Sequence, residues 1–165
     1  MPVQDDRVHF EFLVLESAQA GLSWATVLKK REGYRRAFAD FDYRIVAQFP
    51  ESYVQELLQD TSIVRNAQKI RAAINNAQRF MEVQQEFGSF STYIWGFVGG
   101  KPKINSLKRG EPYPATSEES DRLAKDLKKR GFKFLGSTII YAHMQSTGLI
   151  NDHLVDCFRY EQVKI

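Results

Sequence analysis

Cysteine is almost absent from this chain of 165 residues, in which Cys157 is the single example. A lone thiol forms no internal disulfide, which excludes the small secreted proteins that depend on disulfides and favours a reducing, cytoplasmic compartment. Long apolar runs are missing too, because runs such as Phe12 to Leu15 are far shorter than the roughly 20 residues that span a bilayer. We therefore expect no membrane partner.

Strict alternation of apolar and polar residues, which is typical of half-buried strands, is essentially absent as well. Thr116–Glu119 has the pattern of a capping box, and Gly21 and Gly148 stand where helices are expected to end. With 43% hydrophobic and 26% charged residues, the composition excludes disorder. The length suits one core, and the spacing of the apolar residues predicts helices, so we expect an all-α, single-domain helical bundle over residues 1–165. Apolar residues recur at helical spacing: Val54, Leu57, Leu58, Ile63, Ile70, Ala73, Ile74, Ala77, Phe80, Met81, Phe90, Tyr93, Ile94 and Phe97.

The basic residues are clustered, although the net charge is only +3. Such clusters neutralise DNA phosphates and release counterions, or they are solvated helix faces. Two clusters favour nucleic acid over a membrane as the partner, and both interpretations stay open. The clusters are Lys29, Lys30, Arg31, Arg35 and Arg36, and then Lys125, Lys128, Lys129, Arg130 and Lys133.

The segment from Leu15 to Trp24 combines an acidic residue, a helix stop and an indole. Glu16 lies on an apolar helix that is expected to stop at Gly21 and to restart with Ser23 as N-cap. The break places a carboxylate, an apolar side chain and Trp24 near one corner of the backbone. The alternative is a capped helix whose indole is part of the core.

Two further segments carry candidate chemistry. The sequence of residues 127–138 predicts two helices joined by a short turn that lies between glycines and has basic neighbours. Such a turn can hold a DNA phosphate through backbone amides and the helix dipole. The alternative is a helical hairpin with a solvated basic face. His153 and Cys157 lie four residues apart, on one helix face, as zinc ligands would. A structural zinc site needs four ligands, so a buried thiol beside an ordinary histidine is the alternative.

In this order, the segments resemble the DNA-3-methyladenine glycosylase I family of the helix-hairpin-helix DNA glycosylase superfamily, over nearly the whole chain. The residues that carry the resemblance are Glu16-Ser-Ala-Gln-Ala-Gly-Leu-Ser-Trp24, Val27-Leu-Lys-Lys-Arg-Glu-Gly-Tyr34, Ile63-Val-Arg65 with Lys69-Ile70, Leu127 to Gly136, and Gly148-Leu-Ile-Asn-Asp-His153.

The resemblance implies a role for each segment. Glu16 and Trp24 are implied to bind the flipped base, and Glu16 to be the catalytic residue, because an N3-methylated adenine is cationic and gains from a carboxylate and an indole face. The corner between them, Gln19 to Leu22, is implied to probe the duplex and fill the gap, and the helix hairpin to hold the DNA backbone. The implied DNA-binding residues are Gln19, Gly21, Leu22, Lys128, Lys129, Lys133, Gly136, Ser137 and Thr138.

The family normally begins with about twenty further residues that carry a cysteine, a histidine and a Glu-Trp-Gly sequence, and this sequence shows no counterpart of them. The resemblance implies zinc as cofactor, with His153 and Cys157 as two of its four ligands. We therefore expect the 165-residue chain to bind zinc weakly or not at all.

The resemblance implies a monofunctional glycosylase that hydrolyses the N-glycosidic bond of 3-methyladenine in double-stranded alkylated DNA during base-excision repair, and we expect a monomer. One alternative is a non-catalytic or inactive, shortened DNA-binding module. Another is a structural helical bundle whose basic faces bind nothing.

Overall fold

A computed structural model describes residues 3–19, 24–104 and 114–151. It confirms the all-α class. The helices are α1 (Asp6–Gln19), α2 (Trp24–Lys29), α3 (Arg31–Ala37), α4 (Tyr43–Val46), α5 (Glu51–Leu57), α6 (Ala67–Phe87), α7 (Phe90–Trp95), α8 (Glu118–Lys129) and α9 (Ser137–Ser146). Short 3-10 turns span Ala39–Phe41 and Gly96–Val98, and two strands of two residues each, β1 (Lys103–Ile104) and β2 (Ile150–Asn151), pair in parallel.

The core is organised around α6, the longest helix. Its N-cap is Asn66, whose side chain accepts a hydrogen bond from the backbone N–H of Lys69. The ring of Phe80 stacks on Phe90 of α7 with centroids 4.3 Å apart, and meets Phe10 of α1 edge-on at 5.5 Å. These aromatic contacts hold α1 and α7 against the same helix, α6.

The first and last described segments pack together. The backbone N–H of Val3 donates to the Thr147 carbonyl over 2.8 Å, and α1 packs against α9. The indole of Trp95 adds a hydrogen bond of 2.9 Å to the Val3 carbonyl. As a result, side chains from α1 and α9 face each other inside the protein.

The ends of the helices were predicted with mixed success. Gly148 follows α9 with φ at 83°, as expected of a glycine beyond a helix C-terminus. The predicted capping box is wrong by one residue: Ser117 is the N-cap of α8, and it exchanges hydrogen bonds with Ser120. Ser120, rather than the predicted Glu119, is therefore the second residue of the capping box. Gly21 lies outside the described residues.

Within the described residues, no helix combines the length and the apolar character needed to cross a membrane.

Candidate active site and nucleic-acid interface

Glu16 lies in the interior although it is an acidic residue. It lies in the last turn of α1, and only 1% of its surface is exposed. Its Oε2 is 2.9 Å from Nδ1 of His143 on α9. Its Oε1 is buried and accepts no hydrogen bond from the described residues. A buried polar atom without a partner is costly and uncommon, so Oε1 is a candidate for contact with a ligand.

His143 continues a chain of hydrogen bonds from Glu16 to a second histidine. Its Nε2 is 3.0 Å from Nδ1 of His9, which lies about two helical turns before Glu16 on α1. The Nε2 of His9 is 3.1 Å from the Val3 carbonyl oxygen. Both rings are fully buried, at 0% exposure. We refer to Glu16, His143, His9 and the Val3 carbonyl as the buried chain.

Burial shifts the pKa of each titratable member of the buried chain towards its neutral form. Burial is the main cause that lowers the pKa of His143 to about 3, and burial together with the nearby His143 lowers that of His9 to about 3. Burial raises the pKa of Glu16 well above its ordinary value, against a smaller lowering by the Ser146 hydroxyl. Both shifts favour neutral Glu16 and His143 in the ligand-free protein over an ion pair.

These shifts predict that the free energy of unfolding rises with pH up to about pH 6.5. Below that pH the unfolded chain binds two protons on the histidines while the folded chain keeps at most one on Glu16, so stability falls by at least about 1.4 kcal/mol per pH unit as the pH is lowered. Any proton that folded Glu16 keeps above pH 6.5 makes stability fall as the pH rises, because the unfolded chain has already lost it.

Urea unfolding between pH 5 and 8.5 measures this profile, and Glu16→Gln is its matched control. The variant has no proton to keep at this position, so its stability should rise towards pH 6.5 with a limiting slope of about 2.7 kcal/mol per pH unit and then level off. Parallel profiles above pH 6.5 would show that Glu16 is ionised in the folded protein.

The C-terminal end of α1 is anchored from α6. The Nζ of Lys69 donates to the Ala18 carbonyl over 3.0 Å, which places a cation at the negative end of the α1 dipole. Gln19 is the last residue of α1 and Trp24 the first of α2, and nothing is described of their side chains. Residues 20–23, which include the predicted Gly21 and Leu22, lie outside the described residues.

The connection between α8 and α9 has the predicted turn between glycines. Gly131 has φ at 97°, its N–H donates to the Lys128 carbonyl, and the N–H of Phe132 donates to the Leu127 carbonyl, both over 3.0 Å. This pair of bonds is the Schellman motif, which ends a helix at a residue with positive φ. A side chain at Gly131 would also press on Arg79, because a Cβ there would lie 3.2 Å from its Cδ.

The predicted lysines of this connection are on the surface. Lys128 and Lys129 form the last turn of α8 and Lys133 follows the turn, and all three are exposed. Lysines 125, 128 and 133 border an open groove of about 570 Å³ whose floor includes Phe132 and Leu135. Phe134 has a positive φ of 60°, is 41% exposed and also lines the groove. The groove therefore combines positive charge with an apolar floor.

The N-terminus of α9 faces the same connection. Gly136 is its N-cap and supplies no side-chain cap, so the first N–H groups of the helix have no partner within it. The hydroxyl of Ser137 instead joins α9 to α8 through hydrogen bonds with Asp121 and Ser120. Thr138 is exposed. Backbone amides, rather than the Ser137 hydroxyl, are thus the groups here that remain open to an anion.

Sequence reasoning missed Asn76, which holds the connection to α6. Its side chain accepts from the Lys133 N–H and donates to the Lys133 carbonyl, both over 2.9 Å, and it is 4% exposed. Asn75 adds a hydrogen bond of 2.8 Å to the Gly131 carbonyl. A signal was present, because Asn76 interrupts the apolar helical stripe of Ala73, Ala77 and Phe80, and a polar residue at a core position needs partners.

Asn76→Ala is expected to destabilise the protein by about 1–3 kcal/mol, because it removes two part-buried hydrogen bonds and leaves the backbone N–H and carbonyl of Lys133 without these partners. Urea unfolding measures the loss. Asn75→Ala is the matched control, since it removes the neighbouring amide but keeps both bonds to Lys133, and its cost should be clearly smaller. Equal losses would mean that the Asn76 bonds to Lys133 are not what holds the turn.

No group of three or more His, Cys, Asp and Glu side chains is placed to hold a metal ion in the part of the chain that the structure describes. His153 and Cys157 lie outside it, so their role as zinc ligands stays a prediction.

The sequence pattern of one known family matches residues 1–160, and that family is described as methyladenine glycosylase. The chain belongs to the methyladenine glycosylase family. It is 45% identical over 160 residues to the DNA-3-methyladenine glycosylase 1 of Escherichia coli K12, a match that covers 97% of this chain and 86% of the relative.

Other members of the methyladenine glycosylase family agree with this assignment. The DNA-3-methyladenine glycosylase of Haemophilus influenzae is 43% identical over 156 residues, which cover 94% of this chain and 84% of that protein. A solved structure of the 3-methyladenine DNA glycosylase I of Staphylococcus aureus, which concerns recognition of 3-methyladenine, matches with a TM-score of 0.93 and 38% identity. That match covers all of this chain and 86% of the other. The resemblance stated from the sequence is therefore confirmed.

Within this methyladenine glycosylase, the structure connects the two predicted functional regions through one helix. The N-terminus of α9 lies at the basic connection, and His143, six residues later and about 9 Å along the helix axis, contacts Glu16. The part of α9 nearest the groove and the part that contacts Glu16 are thus one rigid element.

Proposed function

We propose that this methyladenine glycosylase recognises 3-methyladenine, flipped out of double-stranded DNA, through Glu16, and that it acts as a monofunctional enzyme and a monomer. The family is that of hydrolytic DNA glycosylases, so its partner is DNA. The observation that supports the site is the buried Oε1 of Glu16, which accepts no hydrogen bond from the described residues. A flipped base supplies the missing donor through its exocyclic amino group.

The chemistry needs little from the protein. Methylation at N3 makes the base a cation, and when the bond between N9 and C1′ breaks, its electron pair neutralises the departing base. Water then adds to C1′ and loses a proton, which leaves an abasic sugar. Extrusion, shape and electrostatics are the remaining tasks, and a buried acidic group that meets the cation serves the last of them.

The basic groove formed by α8 and the connection to α9 supports binding to the DNA backbone. Exposed Lys128, Lys129 and Lys133 supply charge, and the N-terminus of α9 supplies oriented amides. Contacts of this kind position a duplex without reading its sequence. They fit a repair enzyme, which meets damage in any sequence.

A duplex with one 3-methyladenine tests the monofunctional assignment. We expect free base and an intact strand with an abasic site, which breaks only after alkali treatment, and no protein–DNA crosslink with borohydride. Strand cleavage without alkali together with a borohydride crosslink would indicate an amine nucleophile and overturn the assignment.

A further inference from the structure

The geometry of the buried chain determines how many hydrogens its contacts need. Three contacts join its members in series, at 2.9 Å, 3.0 Å and 3.1 Å, and each needs one hydrogen to be a hydrogen bond. The Val3 carbonyl only accepts, so Nε2 of His9 carries a hydrogen. Two further hydrogens must lie between His9 and His143 and between His143 and Glu16.

Without an imidazolate ion, three arrangements supply three hydrogens, and each has zero net charge, which a site at 0–1% exposure requires. In the first, Glu16 is protonated, and each histidine is neutral with its hydrogen on Nε2. In the second, Glu16 is a carboxylate, His143 carries its hydrogen on Nδ1, and His9 is an imidazolium. In the third, Glu16 is a carboxylate beside an imidazolium at His143, and His9 is neutral. Once a cation binds Glu16, the second is favoured over the third, because its imidazolium lies farther from that cation and next to Asp5 and Asp6, which raise the pKa of His9.

We propose that His143 and His9 are positioning residues that store the Glu16 proton when a cationic base enters and return it when the base leaves neutral. The step is balanced: the proton on Oε2 of Glu16 passes to Nδ1 of His143, while the proton on Nε2 of His143 passes to Nδ1 of His9. No proton enters or leaves the protein. This inference rests on the proposed function of Glu16.

The surroundings favour the first arrangement until a cation arrives. Burial and His143 lower the pKa of His9 against smaller raising effects of the Val3 carbonyl, Asp6 and Asp5, and burial raises that of Glu16. The ring of Phe90 covers His9, with centroids 5.8 Å apart, and supplies no charge. A cation against Oε1 of Glu16 adds an attraction for the carboxylate that is large at low dielectric, and Asp5 and Asp6 then stabilise the imidazolium.

The consequence is discrimination by charge. An uncharged adenine adds no electrostatic attraction for a carboxylate, so the proton stays on Glu16. A cationic 3-methyladenine meets a carboxylate, and after bond cleavage the neutral product loses that attraction as the proton returns. With the buried chain, the ligand-free site therefore contains no uncompensated buried carboxylate, and the site does not retain its neutral product.

Histidine 15N NMR of the full chain tests the proposal, with 3,9-dimethyladeninium as a permanently cationic probe and 9-methyladenine as its uncharged match. In the free protein, we expect His9 and His143 to be neutral with hydrogen on Nε2. The cation should convert His9 to the imidazolium and His143 to the Nδ1–H form, and 9-methyladenine should change neither. Signals are assigned by the absence of the His9 signal in His9→Asn.

His9→Asn also separates proton storage from a structural role. The Asn oxygen replaces Nδ1 as an acceptor for His143 but takes up no proton. We expect at least roughly tenfold weaker binding of 3,9-dimethyladeninium with unchanged binding of 9-methyladenine. Equal weakening of both probes would make His9 merely structural.

The outcomes distinguish the inference from the function on which it rests. If the cation binds and both histidines stay neutral, proton storage is wrong and Glu16 still recognises the base. An imidazolium at His143 beside a neutral His9 would overturn the transfer to His9. If the protein neither prefers the cation nor releases 3-methyladenine from DNA, the proposed function fails, and this inference fails with it.

Discussion

Glu16→Gln is expected to lower the single-turnover release of 3-methyladenine from DNA by at least about tenfold, which corresponds to about 1.4 kcal/mol, with little change in DNA affinity. The amide still fits the site and donates to Nδ1 of His143 as the protonated acid does. It never becomes an anion, so the attraction for a cationic base is lost. Rates at saturating protein and DNA affinity are measured on the same duplex.

The control for the Glu16 variant is Ser17→Ala, a change at the neighbouring buried position of α1, where the hydroxyl only donates to the Val14 carbonyl. That variant should release base at nearly the parent rate. Equal release by Glu16→Gln and the parent would reject the role of Glu16. Slower release with a lowered melting temperature would instead make Glu16 a structural residue at the end of α1.

Replacing Lys128, Lys129 and Lys133 together by Ala is expected to weaken binding to damaged and undamaged duplexes alike. Each lost phosphate contact removes about one unit from the slope of log affinity against log salt, so the triple variant should be shallower by up to about three units. At low salt we expect a loss of at least roughly tenfold, about 1.4 kcal/mol. Binding titrations at several salt concentrations give both values.

The control for the lysine variant is Lys101→Ala, which removes an exposed charge beyond α7. Its slope should stay at the parent value. An unchanged slope in the triple variant would show that the basic groove formed by α8 and the connection to α9 is solvated surface and that phosphates bind elsewhere. A loss confined to particular sequences would contradict contact with the backbone.

Local patterns predicted much of the fold and of the site. The helical class followed from apolar spacing, and the turn between Gly131 and Gly136 followed from glycines beside basic residues. Both depend on interactions within a few residues, which sequence spacing records. The capping box was displaced by one residue because Thr116 and Ser117 are both good N-caps, and only the packed helix selects Ser117.

The buried chain could not be predicted because its members are distant in sequence. His143 lies 134 residues from His9 and 127 from Glu16, and only the packing of α1 on α9 brings them together. The sequence predicted an ionised Glu16, since the charge of a carboxyl group is assumed until its burial is known. Its raised pKa is a property of the folded core.

The most direct measurement of the central claim is base release by the 165-residue chain from a duplex that contains 3-methyladenine and ordinary adenine, with the released bases separated and quantified. The account predicts release of 3-methyladenine well above the rate without protein, and no detectable adenine. Salt-dependent binding of the duplex without release of either base would contradict it and identify a DNA-binding module without catalysis.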